Sequence, residues 1–179
     1  MMAARTKSKR TMPTERLITC AFLAAVALII SYLESLITAA LPFAFLPGMK
    51  LGLANAVVTF AFFSRSKTDA FLISAVRITV SALLFGSPVS LLYSAAGGIF
   101  AFGGLFVSLL LGKRISYIGA GVICAFLHSI GQIAAAFLYF GTPVLGYMPF
   151  LALFSTVFGA ITGAILNFIL EKYERIIPK

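Results

Sequence analysis

Apolar residues fill this chain in long blocks, at about 17–40, 51–64, 69–85, 88–111, 117–140 and 148–170, and polar residues gather in the short stretches between them. A membrane-crossing helix needs about 20 predominantly apolar residues, and the blocks meet that length, some only with tilt. The second and third are short. At about 1.5 Å of rise per residue, block 51–64 reaches only partway across a bilayer. It therefore starts within the preceding loop or lies beside a thinned or water-filled region. The pattern predicts an all-α integral membrane protein with six transmembrane helices, divided into a basic segment 1–16, a transmembrane domain 17–170 and a tail 171–179. The first block exceeds the roughly 7–15 apolar residues of a signal peptide, which makes it a retained helix.

Charge then orients the bundle. Arg5, Lys7, Lys9, Arg10 and Arg16 precede block one, Arg65 and Lys67 follow block two, Lys113 and Arg114 follow block four, and Lys172, Arg175 and Lys179 lie in the tail. The three other connections hold Lys50 alone. Connections rich in Lys and Arg stay cytoplasmic, so the alternation predicts both termini inside and an even number of helices, in a bacterial plasma membrane. The outer connections are rich in Gly and Pro, the residues of restricted turns. Phe85-Gly-Ser-Pro-Val89 and Phe140-Gly-Thr-Pro-Val144 share a pattern at two hairpin tips. It is either the trace of a duplicated hairpin or the convergence of two tight turns on the same residues.

Composition confirms the solvent. The chain is 61% hydrophobic and 11% charged, with a mean hydropathy of +1.07, against about 25% charged residues in soluble domains. Its net charge of +9 flanks apolar blocks and forms no large soluble surface, so it marks topology and not nucleic-acid binding. Cys20 and Cys124 lie inside apolar runs without metal-ligand or disulfide spacing and read as small core residues.

Ionisable residues inside such blocks cost about 2.5–3.5 kcal/mol at a helix centre and are candidate functional groups. Topology places Glu34 in the outer third of helix one, Asn55 about one turn into helix two, and Arg77 near the middle of helix three. His128 and Gln132 are one turn apart on one face of helix five. Tyr93 lies near the outer start of helix four, and Tyr147 offers a further hydroxyl. Each has a structural alternative. Glu34 and Arg77 neutralise each other as a buried pair, Asn55 and Gln132 serve as interhelical hydrogen-bond links, and His128 is a packed core residue. Asn167 reads as an interface residue. Convergence of these groups in the outer half favours a binding site, positive in balance and walled by apolar residues, for a small anionic or amphipathic ligand.

The connection Leu46-Pro-Gly-Met-Lys50-Leu-Gly-Leu-Ala-Asn55 breaks two apolar blocks with helix-breaking residues and carries the lone outer lysine. It reads as the rim or lid of that site. Ala21-xxx-Ala25, Gly97-Gly98, Gly103-Gly104 and Gly159-xxx-Gly163 permit close helix approach. No GxxxxGK[ST] string, Asp-rich motif pair or Ser/His/Asp set occurs. The chain is therefore not expected to be an enzyme, to carry a cofactor or metal, or to hydrolyse ATP by the P-loop route.

Pro47-Gly-Met-Lys50-Leu-Gly-Leu-Ala-Asn55, Arg77, Tyr93-Ser-Ala-Ala-Gly-Gly98, His128-Ser-Ile-Gly-Gln132 and Phe140-Gly-Thr-Pro143 together resemble the Gx transporter family, also labelled heptaprenyl diphosphate synthase component I. Ser129 stands where the family pattern has an asparagine. That family resembles the S components of energy-coupling factor (ECF) transporters. The resemblance implies six helices with both termini inside and a ligand site in the outer half, gated by the loop between helices one and two. It also implies that Ala21 and Ala25 dock on a transmembrane coupling subunit bound to two ATPases. The synthase label implies instead a soluble prenyl diphosphate synthase partner, and an association with flavin-based extracellular electron transfer is a third implication. The expected function is that of a solute-binding importer subunit using Glu34, Lys50, Asn55, Arg77, Tyr93, His128 and Gln132. The alternative is a non-transporting membrane partner of prenyl diphosphate synthesis or electron transfer.

Overall fold

The computed structural model describes residues 13–40, 50 and 52–176. The expected basic segment up to residue 12, the lid residues 46–49 and 51, and the last three residues of the tail lie outside them. The described chain forms α1 (Pro13–Ala40), α2 (Asn55–Ser64), α3 (Lys67–Phe85), α4 (Pro88–Leu111), α5 (Tyr117–Phe140) and α6 (Met148–Ile176), with 3-10 turns at Gly112–Arg114 and Thr142–Tyr147. Five of the helical stretches, all but α2, are long and apolar enough to cross a membrane. The ten residues of α2 span about 15 Å, half of a hydrocarbon core of about 30 Å.

Local chemistry sets the boundaries. Ser66, Ser87 and Ser116 cap α3, α4 and α5 by accepting backbone N–H groups at 3.0, 3.1 and 3.2 Å. Ser87 and Ser90 form a reciprocal capping box, with Pro88 pre-set for the first helical turn. Gly112 and Gly141, at φ of 55° and 68°, end α4 and α5 in a conformation that a Cβ disfavours. The two Phe-Gly-x-Pro-Val tips therefore differ: the first re-enters a helix at once, whereas the second passes through the 3-10 turn. They share residues but not local geometry. α2 has no side-chain cap of its own.

Neighbouring helices pack in the order α1, α3, α4, α5, α6, and α2 touches all five. α1 and α6 do not meet among the described residues; α2 fills the space between them, with Phe60 edge-on to Tyr173 at 5.8 Å. Glycine allows the tightest approaches. A Cβ on Gly97 would meet the His128 ring at 2.6 Å, one on Gly131 would meet the Ala96 carbonyl at 2.6 Å, and one on Gly121 would meet the Gly159 carbonyl at 2.6 Å. Backbone-to-backbone packing thus holds α5 between α4 and α6. Gly163 serves the same seam against Ile118, whereas Gly103 faces open space. α5 is correspondingly the most enclosed of the long helices, and α1 presents most of its surface outward.

Two apolar clusters lie along the bundle. One joins Ala24 and Ala27 of α1, Val57, Val58, Ala61 and Phe62 of α2, Ile73 of α3, Leu105 of α4 and Cys124 of α5. Edge-to-face contacts of Phe62 with Phe63, Phe102 and Phe106 extend it towards the end bearing the basic turns. The other joins Tyr93, Ile133, Ala135, Ala136 and Val144 near the opposite end. At the basic end Asp69 is buried and gathers Arg16 at 2.6 Å and Arg65 at 3.5 Å, which fastens the start of α1 to the α2–α3 turn. Asn167 bonds Glu171 within its own helix at 2.8 Å.

Candidate functional site

Between the apolar clusters lies a buried polar layer, built around the start of α2. The connection leading to α2 does not stay at the bundle's end. Its Gly52, at φ 87°, lies against the His128 ring, where an added Cβ would sit 3.3 Å from ring carbon. His128 is near the middle of α5, so the connection penetrates to mid-bundle before α2 begins. Non-helical backbone at that depth is tolerated only when protein groups or water satisfy it. Asn55 N–H and Ala56 N–H donate to the carbonyls of Gly52 and Leu53 at 2.9 and 3.0 Å. The N–H groups of Gly52 and Leu53 both donate to Glu34 Oε1, the latter at 3.1 Å. A carboxylate from α1 therefore supplies the cap that α2 lacks, at the end where the helix dipole favours negative charge.

Arg77 occupies the same layer from α3. Its guanidinium donates to Asn55 Oδ1 at 3.1 Å and to Ser31 Oγ at 3.3 Å. Among the described residues no ion pair joins Glu34 to Arg77: each is held by other groups. Because arginine only donates, the Asn55 oxygen must face Arg77, leaving its Nδ2 to donate to His128 Nδ1 at 3.0 Å. His128 Nδ1 is thus an acceptor and the ring proton sits on Nε2. Asn55 is the link that sequence reasoning allowed, bridging α3 to α5 from the first residue of α2.

Lys50 is buried, with Nζ 5.7 Å from the centroid of the Phe85 ring, within reach of a cation–π attraction. Gln132 lies one turn beyond His128 on α5 and is fully enclosed, as is Tyr93. The layer is incompletely satisfied. Glu34 Oε2, Arg77 Nε, Tyr93 Oη, Ser94 Oγ, His128 Nε2, Ser129 Oγ and both amide atoms of Gln132 are buried without a hydrogen-bond partner among the described residues. Native interiors leave few such atoms, each costing about 1–3 kcal/mol. Their concentration in one layer marks a place where a polar guest or water is accommodated.

A narrow cleft, with room for little more than a water molecule, opens off this layer between α2, α5 and α6. It starts at Gly52 and Asn55 and continues past Thr59 and Cys124 to Thr162 and Leu166. The hydroxyls of Thr59 and Thr162 donate to carbonyls of their own helices.

Of the residues expected from sequence, Glu34, Asn55, Arg77 and His128 are joined through hydrogen bonds within the layer, and Lys50 lies two residues before the glycine that Glu34 holds. Gln132 and Tyr93 continue it towards the second apolar cluster. Tyr147 is half-buried in the 3-10 turn. Ala21 and Ala25 lie on the outward face of α1, away from the layer. Ser31 and Ser94 were not expected as site residues, while Gly52 was expected only as part of the lid and Gly97 only as a glycine for close helix approach. Ser31 stands three residues before Glu34, and Gly97 four after Tyr93, so helical spacing from accepted site residues was the available signal. Among the described residues no group of three or more His, Cys, Asp or Glu side chains is placed to hold a metal.

The family described as heptaprenyl diphosphate synthase component I matches residues 23–169. No curated protein and no solved structure matches the chain.

Proposed function

The chain belongs to the heptaprenyl diphosphate synthase component I family, and from that premise and its buried polar layer we propose that it is a solute-binding membrane subunit of an ECF-type importer. The observation that carries this reading is the set of orphaned polar atoms around the re-entrant start of α2. A purely structural bundle gains nothing from enclosing so many unsatisfied groups, whereas a receptor for a polar solute completes them on binding. Arg77 and Lys50 supply positive charge, and the seam between α2, α5 and α6 supplies apolar walls, which suits a small anionic or amphipathic solute.

In this reading the helices cross with the basic turns on the cytoplasmic side, α2 completing its passage through the connection before it. The connection at Lys50 then faces outward and closes over the solute. The outward face of α1 at Ala21 and Ala25 is the surface for a transmembrane coupling subunit, with ATPases supplying the energy. The chain itself performs no catalysis.

The family description favours a second reading, in which the chain anchors a soluble prenyl diphosphate synthase subunit at the membrane. Affinity purification of the tagged full chain in mild detergent separates the two. Recovery of a coupling subunit with ATPases, abolished by Ala21→Trp, supports the importer. Recovery of a prenyl synthase instead, with Ala21→Trp without effect, refutes it.

A further inference from the structure

We propose that the solute carries an adjacent hydrogen-bond donor and acceptor on one edge, as in an amide, lactam or ureide, together with an acidic group, and that Gln132 is the residue that recognises this edge. The inference rests on the solute-binding reading and adds the ligand's chemical class. Gln132 is fully enclosed in α5, and both its amide oxygen and its amide nitrogen lack partners. An enclosed interhelical link would use at least one of them. A primary amide with both functions free is a ready-made bidentate reader: its N–H donates to one atom of a partner edge while its oxygen accepts from the next.

The other orphaned atoms distinguish this class from a simple anion. Arg77 Nε donates only, and so does His128 Nε2, because Asn55 has already taken His128 Nδ1 as an acceptor. An anion satisfies these groups. It leaves Gln132 Oε1 and Glu34 Oε2 facing acceptor against acceptor, so a guest that completes the layer brings hydrogen atoms as well as lone pairs. Nearby hydroxyls suit either polarity. Gly97 of α4 lies against His128, and Gly131 of α5 lies against Ala96, so the turn of α4 that carries Tyr93 and Ser94 runs beside the turn of α5 that carries Ser129 and Gln132. All four have unpartnered polar atoms. The layer thus has a cationic end at Arg77 and Lys50 and an uncharged, donor-and-acceptor end at Gln132.

Thermal unfolding of the detergent-solubilised full chain tests this with three probes: orotate and pyroglutamate, which combine a carboxylate with an amide-type edge, and benzoate, which has the carboxylate alone. At least one edge-bearing acid is expected to raise the melting temperature at concentrations about 10-fold or more below those at which benzoate acts. Gln132→Met, similar in shape but without the amide, is expected to weaken that acid about 10- to 100-fold and to leave benzoate unchanged. The same variant is expected to raise the melting temperature of the unliganded protein, since it removes an unsatisfied buried group. A lower unliganded melting temperature in Gln132→Met shows that the amide has a structural partner, ordered water included, and overturns the proposal. Benzoate matching both edge-bearing acids overturns it too, and if that binding falls in Lys50→Ala, solute binding itself stands. Failure of all three probes also overturns the proposed class, while the importer reading is judged by the purification of the coupling subunit.

Discussion

Removing the Glu34 carboxylate should unfasten the start of α2 while leaving the rest of the bundle folded. Glu34 Oε1 accepts the N–H groups of Gly52 and Leu53, and hydrogen bonds to a charged acceptor contribute about 1.5–3 kcal/mol each. Two such bonds amount to about 3–6 kcal/mol, but the substitution also relieves the burial of a carboxylate, which offsets part of it. A net local cost of about 3 kcal/mol in Glu34→Ala corresponds to roughly a 100-fold rise in the opening equilibrium of the connection. Hydrogen exchange of the protein in lipid nanodiscs measures that opening directly. The amides of Gly52 and Leu53 should exchange about 100-fold faster in Glu34→Ala, with those of α4 and α5 unaltered. Glu34→Gln keeps an acceptor oxygen without the charge and should fall between, at about 10-fold. Unchanged protection at Gly52 and Leu53 in Glu34→Ala would refute the assignment of Glu34 as the external cap of α2.

Gly97→Ala should push the His128 ring from its place beside Asn55 and lower stability by about 1–3 kcal/mol, because the new methyl meets ring atoms at 2.6–3.0 Å. Gly103→Ala, with nothing within 4 Å, is the control and should be neutral or stabilising by up to about 1 kcal/mol; equal losses in both would contradict the packing. Asp69→Ala should lower the melting temperature more than Arg16→Ala does, since Asp69 is buried and serves two arginines whereas Arg16 is half-exposed; the reverse order would show that the cluster does not fasten α1.

Much of this architecture is legible in the sequence because lipid makes block length decisive. α3, α4 and α5 keep close to the boundaries set by apolar runs and by Ser, Gly and Pro at their ends, while α1 starts a turn earlier, at Pro13, and α6 runs on to Ile176. α2 is the exception: residues 51–54 read as apolar as a helix, and hydropathy does not separate them from it. Residues 52–54 instead form the turn that leads into α2, and Gly52, at positive φ, was the one local sign. That Glu34, Arg77, Asn55 and His128 belong to the interior was legible from their place inside or beside apolar blocks, and all four are buried, but their pairing was not. Glu34 finds backbone N–H groups, which every residue carries and no side-chain pattern reveals. Gly103 and Gly104 are indistinguishable as sequence, yet only Gly104 faces a neighbour, against Leu127 and Cys124. The rotation of a helix, set by packing, decides which of two adjacent glycines serves the seam.

The short second helix and the buried polar layer explain each other. The ten-residue α2 begins beside His128, near the middle of α5, so the turn before it is buried within the bundle. Backbone brought so deep needs acceptors for its N–H groups, and Glu34 provides one for both Gly52 and Leu53. A carboxylate at that depth in turn requires positive charge nearby, which the start of α2, Arg77 and Lys50 supply. Arg77 needs oxygen acceptors and takes Asn55 and Ser31. Asn55, with its oxygen committed, turns its amide nitrogen to His128 and fixes the ring proton on Nε2. The network does not close completely, because Glu34 Oε2 and Arg77 Nε are left over within it. Beyond it, His128 Nε2 and both amide atoms of Gln132 have no partner among the described residues. The hydrogen bonds therefore run from the turn before α2 to His128, and the atoms they leave open, from Glu34 Oε2 to Gln132, are those that the proposed solute would complete.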